Sequence, residues 1–183
     1  MTKPITIGVS ACLLGEHVRY DGGHKYDRYI ADTLGRFFSF VPVCPEVECG
    51  LPIPREVMQL EGDPAAPRLM TRQTRSDMTG TMLFFCSDRI RELSKEDLCG
   101  FIFKERSPSC GLTMVPLFDG SDYKRIATGL FANEIVRCFP SMPLVEAGRL
   151  NNPCIRENFI ERVYLYRSKM SILKNYSYIS ILT

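Results

Sequence analysis

Three short apolar segments limit the possible folds of this chain more than any other feature of its sequence. Residues 5–11, 38–43 and 98–103 are each rich in β-branched or aromatic side chains. Apolar runs of this length, bounded by turn-forming or charged residues, are typical of strands that are buried on both faces. The sequence therefore predicts three buried strands.

Amphipathic helical patterns lie between and after these strands. Apolar residues recur with helical spacing in residues 26–38, 77–93 and 126–139, and residues 55–76 are expected to form an irregular loop with one short strand around residues 68–71. Strands that alternate with helices predict an α/β fold with a parallel sheet and helices on both faces. In such sheets, ligands bind at the carboxyl ends of the strands.

The sequence changes character after residue 139. A proline-rich link, "FPSMP", leads to a helix for which Asn152 is the expected N-cap and Pro153 the first-turn residue. The stripe of apolar residues on this helix comprises Ile155, Phe159, Ile160, Val163 and Tyr164. The final residues, "ILKNYSYISILT", show no clear period.

The composition is that of a soluble globular protein. The 183 residues are 45% hydrophobic and 24% charged, with a formal net charge of +2, so they contain enough apolar side chains for a packed core. The charge is not gathered into a basic stripe, and we expect no stable binding of nucleic acid.

No run approaches the ~20 apolar residues of a membrane span. Gly8 and Ser10 interrupt the N-terminal apolar stretch, unlike a signal peptide, and we expect a cytoplasmic protein.

Eight cysteines in a chain without a secretory signal are expected to stay reduced. Cys86 falls in a helical pattern, Cys99 in a strand and Cys138 at a helix end, so all three are expected to be packing residues. Cys154, in the first turn of the last helix, is expected to be structural or on the surface. Cys49 follows Cys44 by five residues, which could place it near a site formed there.

Cys12, Cys44 and Cys110 differ from the other cysteines because each follows a predicted strand and sits beside a turn-forming Gly or Pro. The carboxyl ends of parallel strands share one edge of the sheet, so these thiols are expected to meet. Three thiolates without an obvious fourth ligand suit a metal centre with an open position. Both an iron–sulfur cluster and a catalytic zinc fit this pattern, and the spacing does not separate them.

Groups suited to acid–base chemistry and hydrogen bonding lie beside these cysteines. Glu46, two residues after Cys44, is either a proton acceptor in the crevice or an ordinary surface carboxylate. Ser107 and Ser109 flank Pro108; each hydroxyl either caps the turn or hydrogen-bonds a ligand.

Two other classes of protein use the same thiols. A non-catalytic zinc module would need a fourth protein ligand, for which Cys49 is a candidate. A sulfur carrier that forms a persulfide would need one essential thiol with a low pKa.

Taken together, "VSACLLGEHVRYDGG", "VPVCPEV", "GLPIPR" and "KERSPSCG" resemble the thiouracil desulfurase family over residues 5–139. The resemblance implies a Rossmann-like, three-layer α/β domain with a [4Fe-4S] cluster held by Cys12, Cys44 and Cys110. It further implies that Glu46 is the acid–base residue and Ser107 a catalytic serine that also binds substrate. The hydroxyl of Ser109, on the other side of Pro108, is a second candidate substrate contact.

The implied activity is the non-redox conversion of thiouracil or thiouridine to the oxo compound and hydrosulfide. The implied partners are a small thiolated base or nucleoside and the iron–sulfur assembly machinery, and Gly111 is expected to leave room at the cluster. Residues 1–139 then form the desulfurase-like domain. Residues 140–183 look like a linker and the truncated start of a helical domain that longer, thiouridine desulfidase-like members carry.

Overall fold

The computed structural model describes residues 4–179, and the side chains of residues 4–173. The strands within this range are β1 Ile5–Ser10, β2 Phe38–Val43, β3 Met58–Glu61, β4 Arg68–Thr71, β5 Leu98–Phe103, β6 Val115–Phe118, β7 Tyr123–Ala127 and β8 Leu144–Glu146. The α-helices are α1 Pro45–Glu48, α2 Thr79–Leu93, α3 Leu130–Cys138 and α4 Pro153–Ile179. Among these described helices, none is long and apolar enough to cross a membrane.

The main sheet contains all three predicted strands. Its order is β2-β1-β5-β8, and every pairing is parallel. The predicted α/β fold with a parallel sheet is therefore confirmed. The first strand ends one residue earlier than predicted, because Ala11 already belongs to a 3-10 turn, Ala11–Leu14.

Strand β5 is the centre of the core, since all six of its residues are buried. Phe101 and Phe103 pack on one face of the sheet with the apolar sides of α2 and α3. Cys99 and Ile102 point to the other face and pack with α4. Helices on both faces explain why this strand is apolar throughout rather than alternating.

The structure has a second sheet, with the order β4-β3-β6-β7, most of which was not predicted from the sequence. Only β4 was predicted. Strands β3 and β4 are antiparallel, as are β6 and β7, while β3 pairs with β6 in parallel. These strands are only four or five residues long, which is too short for a clear alternation of apolar and polar residues.

Two predicted helices have different bounds in the structure. Instead of one helix over residues 26–38, the chain forms a π-helical turn at Tyr29–Thr33 and a 3-10 turn at Leu34–Arg36. These tight turns bury Ile30 and Leu34 and lead directly into β2. The helix predicted to begin at residue 126 begins at Leu130, because the residues before it pair in β7 with β6.

The predicted helix over residues 77–93 is found as α2, and α4 begins where expected. The side-chain oxygen of Asn152 accepts a hydrogen bond from the backbone N–H of Cys154 at 3.0 Å. Phe159 and Val163 of α4 are buried against the sheet, whereas Tyr164 is 47% exposed. Since β8 pairs with β5, the α/β unit continues beyond the predicted boundary at residue 139.

Candidate active site

A cavity of about 290 Å³ lies at the carboxyl ends of β1, β2 and β5. Cys12 enters it from the 3-10 turn after β1, Cys44 from the residue after β2, and Cys110 from the loop after β5. The parallel topology thus brings together three thiols that are far apart in sequence. Glu46 and Ser107 line the same cavity.

The three thiols are held in an environment with little solvent. Burial raises the pKa of Cys12, although the positive charges of Lys104 and Arg19 lower it in part. Burial raises the pKa of Cys44 to about 11 and that of Cys110 well above its ordinary value. This direction is opposite to that expected of the reactive thiol in a sulfur carrier.

The turn of residues 107–111 holds Cys110 through its own hydrogen bonds. The Ser107 hydroxyl oxygen accepts the backbone N–H groups of Ser109 at 3.2 Å and Cys110 at 3.1 Å. The backbone N–H of Gly111 bonds to the Ser107 carbonyl at 2.9 Å. Ser107 therefore caps this turn while it also faces the cavity.

The start of α3 packs against the outside of the same turn. The N–H of Gly129 donates to the carbonyl of Gly111 at 2.7 Å, and that of Leu130 donates to Pro108 at 3.1 Å. A Cβ at Gly111 would lie 2.4 Å from Val115 and 2.8 Å from the Ser107 carbonyl. Gly111 is thus needed for packing within the protein, and the expectation that it leaves room at a cofactor has no support in these contacts.

Glu46 lies on the short helix α1 and has hydrogen bonds on both carboxylate oxygens. The hydroxyl of Ser109 donates to Oε1 at 2.8 Å. The guanidinium of Arg55 donates to Oε2 through Nε at 2.9 Å and Nη2 at 2.6 Å. Ser109 is fully buried and reaches Glu46, whereas the sequence reading predicted a contact with substrate.

Arg55 is the site residue that the sequence reading missed. Its side chain is only 5% exposed and lines the cavity. It appears in the "GLPIPR" motif, but that motif offers no indication that the side chain folds back onto Glu46. Besides its ion pair, Nη2 donates to the carbonyl of Val18 at 2.8 Å, and the backbone N–H donates to that of Tyr20 at 2.8 Å.

The remaining cysteines lie outside this cavity's lining. Cys86 and Cys99 are buried, as predicted, and the exposed Cys154 agrees with a surface position. The prediction for Cys138 is wrong: it ends α3 with its side chain exposed. The Cys49 thiol donates to the carbonyl of Glu46 at 3.2 Å, so it does not stand as a fourth ligand beside the other three.

The described residues contain no group of three or more His, Cys, Asp or Glu side chains placed to hold one metal ion. Cys12, Cys44 and Cys110 instead share the lining of one cavity. A single zinc ion needs its sulfur ligands about 2.3 Å away. A cluster differs, because each protein ligand binds a separate iron.

The part of the chain that forms this cavity is similar to known proteins. A sequence model of the 2-thiouracil desulfurase family matches residues 7–147, a span that includes every cavity residue named above. The chain is also similar to a solved structure, the [4Fe-4S]-dependent thiouracil desulfidase TudS, with 27% sequence identity and a TM-score of 0.61. That match covers 81% of this chain and 94% of the other. No curated protein matches the chain.

Proposed function

Because the chain belongs to the 2-thiouracil desulfurase family, we propose that it removes sulfur from a thiolated pyrimidine base or nucleoside. The net reaction replaces the thiocarbonyl sulfur by the oxygen of water and releases hydrosulfide and a proton. No electrons are gained or lost, so the reaction needs no external reductant. The proposal is supported above all by one observation: three thiols, a carboxylate and a hydroxyl line the same cavity.

The cysteines fit the cofactor of the related desulfidase. Cys12, Cys44 and Cys110 would hold a [4Fe-4S] cluster, since they offer three soft thiolate ligands around a shared space. When bound, the cluster would supply an iron without a protein ligand, which is a Lewis acid suited to sulfur. The buried thiols must lose their protons on ligation, so cluster binding is coupled to proton release.

In the proposed reaction, Glu46 accepts a proton from the attacking water. Its Oε2 accepts two N–H groups from Arg55, and its Oε1 accepts one hydroxyl. A carboxylate has about four lone-pair positions, so Oε1 keeps one that can accept a proton from a ligand. Ser109 acts through Glu46 by holding this oxygen.

In the proposed reaction, Ser107 orients the base. Its hydroxyl oxygen already accepts two backbone N–H groups, which occupies both of its lone pairs. The O–H proton remains free to point into the cavity and donate to a ring nitrogen or an exocyclic oxygen. The cavity, at about 290 Å³, is at the lower limit of the range for ligand sites and would hold the cluster as well, so it favours a compact substrate.

The experiment that tests this function is a turnover assay under anaerobic conditions. Protein reconstituted with iron and sulfide is incubated with 2-thiouracil, 4-thiouracil or thiouridine, and both hydrosulfide and the oxo product are measured. We expect the two products in equal amounts. Glu46→Gln is the matched control, because it should bind the same cofactor and turn over about 100-fold more slowly. Protein with a full cluster that releases no sulfide from any of these substrates would overturn the proposal.

A further inference from the structure

Arg55 donates two hydrogen bonds to the carboxylate of Glu46, the proposed acid–base residue. Both partners of this ion pair are shielded, with 5% of the Arg55 side chain and 14% of the Glu46 side chain exposed. Two guanidinium nitrogens converge on one carboxylate oxygen, at 2.9 and 2.6 Å. Pairs of this kind fix geometry as well as charge.

The same guanidinium also connects the carboxylate to Val18, in the loop after β1, which lines the cavity too. Nη2 is shared between Glu46 and the carbonyl of Val18, which also accepts the thiol hydrogen of Cys44 at 3.7 Å. Nη1 reaches the carbonyl of Pro52 at 3.4 Å. Arg55 thus joins the loop after β1, the helix α1 and its own loop at a single point.

From this geometry we propose that Arg55 is a positioning residue for the proposed reaction: it holds Glu46 so that Oε1, and not Oε2, faces the reacting water. This inference rests on the proposed function. With Oε2 occupied by the two guanidinium N–H groups, the carboxylate cannot exchange its oxygens without breaking both bonds. Arg55 itself transfers no proton: its two N–H groups contact Oε2, whereas the lone pair proposed to accept the proton belongs to Oε1.

A purely structural role makes a different prediction. If Arg55 only braces the loops, its loss should harm the enzyme equally whether or not residue 46 is a carboxylate. If Arg55 acts through Glu46, its loss should matter only while that carboxylate is present. Residues that act as one unit show such non-additive effects.

A double-mutant cycle separates these possibilities. The proteins are the unmodified chain, Arg55→Met, Glu46→Gln and the double variant, each assayed for kcat and KM per bound cluster. We expect Arg55→Met to lower kcat about 100-fold, within the usual range for acid–base contributions, with KM changed by less than about threefold. In the Glu46→Gln background the same change should cost less than about threefold. Equal losses in the two backgrounds would overturn the proposal.

Conservative and matched variants complete the test. Arg55→Lys keeps the charge without the fork, so it should recover part of the lost kcat. Arg68→Met is the matched control, because Arg68 places the same two nitrogens on one oxygen of Asp77, at 3.0 and 2.6 Å, away from the cavity. It should leave kcat unchanged. If Arg55→Lys is no better than Arg55→Met, a requirement for the charge is contradicted.

The contact itself is tested without cofactor or substrate. Melting temperatures of the metal-free proteins should fall for each single variant, and the double variant should lose less than the sum of the two shifts. Additive shifts would contradict the coupling of Arg55 with Glu46. If the unmodified protein with a full cluster has no turnover, the proposed function fails, and the melting cycle still decides whether the two residues act together.

Discussion

The hydroxyl of Ser107 accepts the N–H groups of Ser109 and Cys110, so it holds a proposed ligand in place while its own proton remains available. We propose that Glu46 is held in a similar way, with Oε2 bound by Arg55. In the proposed reaction, each of the two residues then has one set of contacts that fixes it and one atom that acts on substrate.

Glu46→Gln should keep the cofactor and lose turnover, whereas Ser107→Ala should lose turnover and, because it removes the acceptor for the Cys110 N–H, should also bind less iron. Glutamine cannot accept the proton from water, and alanine removes the donor to the base, so each should lower kcat on the order of 100-fold or more. Iron content, the visible absorption of the cluster and sulfide release should be measured on the same samples. A Glu46→Gln protein with full turnover would exclude Glu46 as the proton acceptor.

Replacing a cysteine outside the cavity with alanine should change only the stability of the protein, by an amount that depends on how buried the cysteine is. Cys86 is fully buried, so Cys86→Ala should reduce the free energy of unfolding by about 1 kcal/mol. Cys138 is exposed, and Cys138→Ala should change the free energy of unfolding by less than about 0.5 kcal/mol. Urea unfolding measures both values. Loss of iron in either variant would show that the division between packing and ligand thiols is wrong.

At the scale of elements, the turn of residues 107–111 joins the end of β5 to the start of α3. The helix donates N–H groups to the carbonyls of Pro108 and Gly111, and the turn donates its own N–H groups to Ser107. Cys110 is therefore placed by backbone contacts on both sides. A change that shifts this backbone should affect cofactor binding without touching a ligand.

Gly111→Ala provides such a change. The added methyl group would overlap Val115 at 2.4 Å and approach the Ser107 carbonyl at 2.8 Å, so the turn must move. We expect a loss of about 1–3 kcal/mol in stability and a lower iron content. Gly80→Ala is the control, because nothing lies within 4 Å of its added methyl group. Equal iron content in the two variants would show that the turn does not position Cys110.

Asp77, just before α2, should make stability depend on pH in the acid range. Hydrogen bonds from Thr79 and the guanidinium of Arg68 lower the pKa of Asp77 to about 2. A group whose pKa is lower in the folded state stabilises the protein above its unfolded-state pKa, and this stabilisation is lost as the pH falls from about 4 to about 2.

Asp77→Asn removes this contribution. Because the Asp77 side chain is 39% exposed, solvent screening limits the effect to about 1 kcal/mol. Urea unfolding should show the unmodified protein to be more stable than the variant near neutral pH, with the difference shrinking towards about pH 2. A difference that grows as the pH falls would contradict the assignment.

At the scale of the whole molecule, the parts that could be predicted from the sequence are those dominated by burial on two faces. Strand β5 is apolar throughout because helices cover both sides of the main sheet, and its parallel neighbours bring their cysteines to the same edge. The second sheet was missed because its short strands depend on pairing that local patterns do not show. Arg55 was missed because its contact with Glu46 depends on how the intervening loop folds back onto α1, which the local sequence does not show.

We propose that Cys12, Cys44 and Cys110 together hold one iron–sulfur cluster in the cavity. The most direct test is the iron and acid-labile sulfide content per chain of anaerobically purified protein, compared with that of Cys110→Ala. We predict about four irons and four sulfides in the unmodified protein and an incomplete or absent cluster in the variant. One zinc per chain in place of iron, or a Cys110→Ala protein with a complete cluster, would contradict the claim.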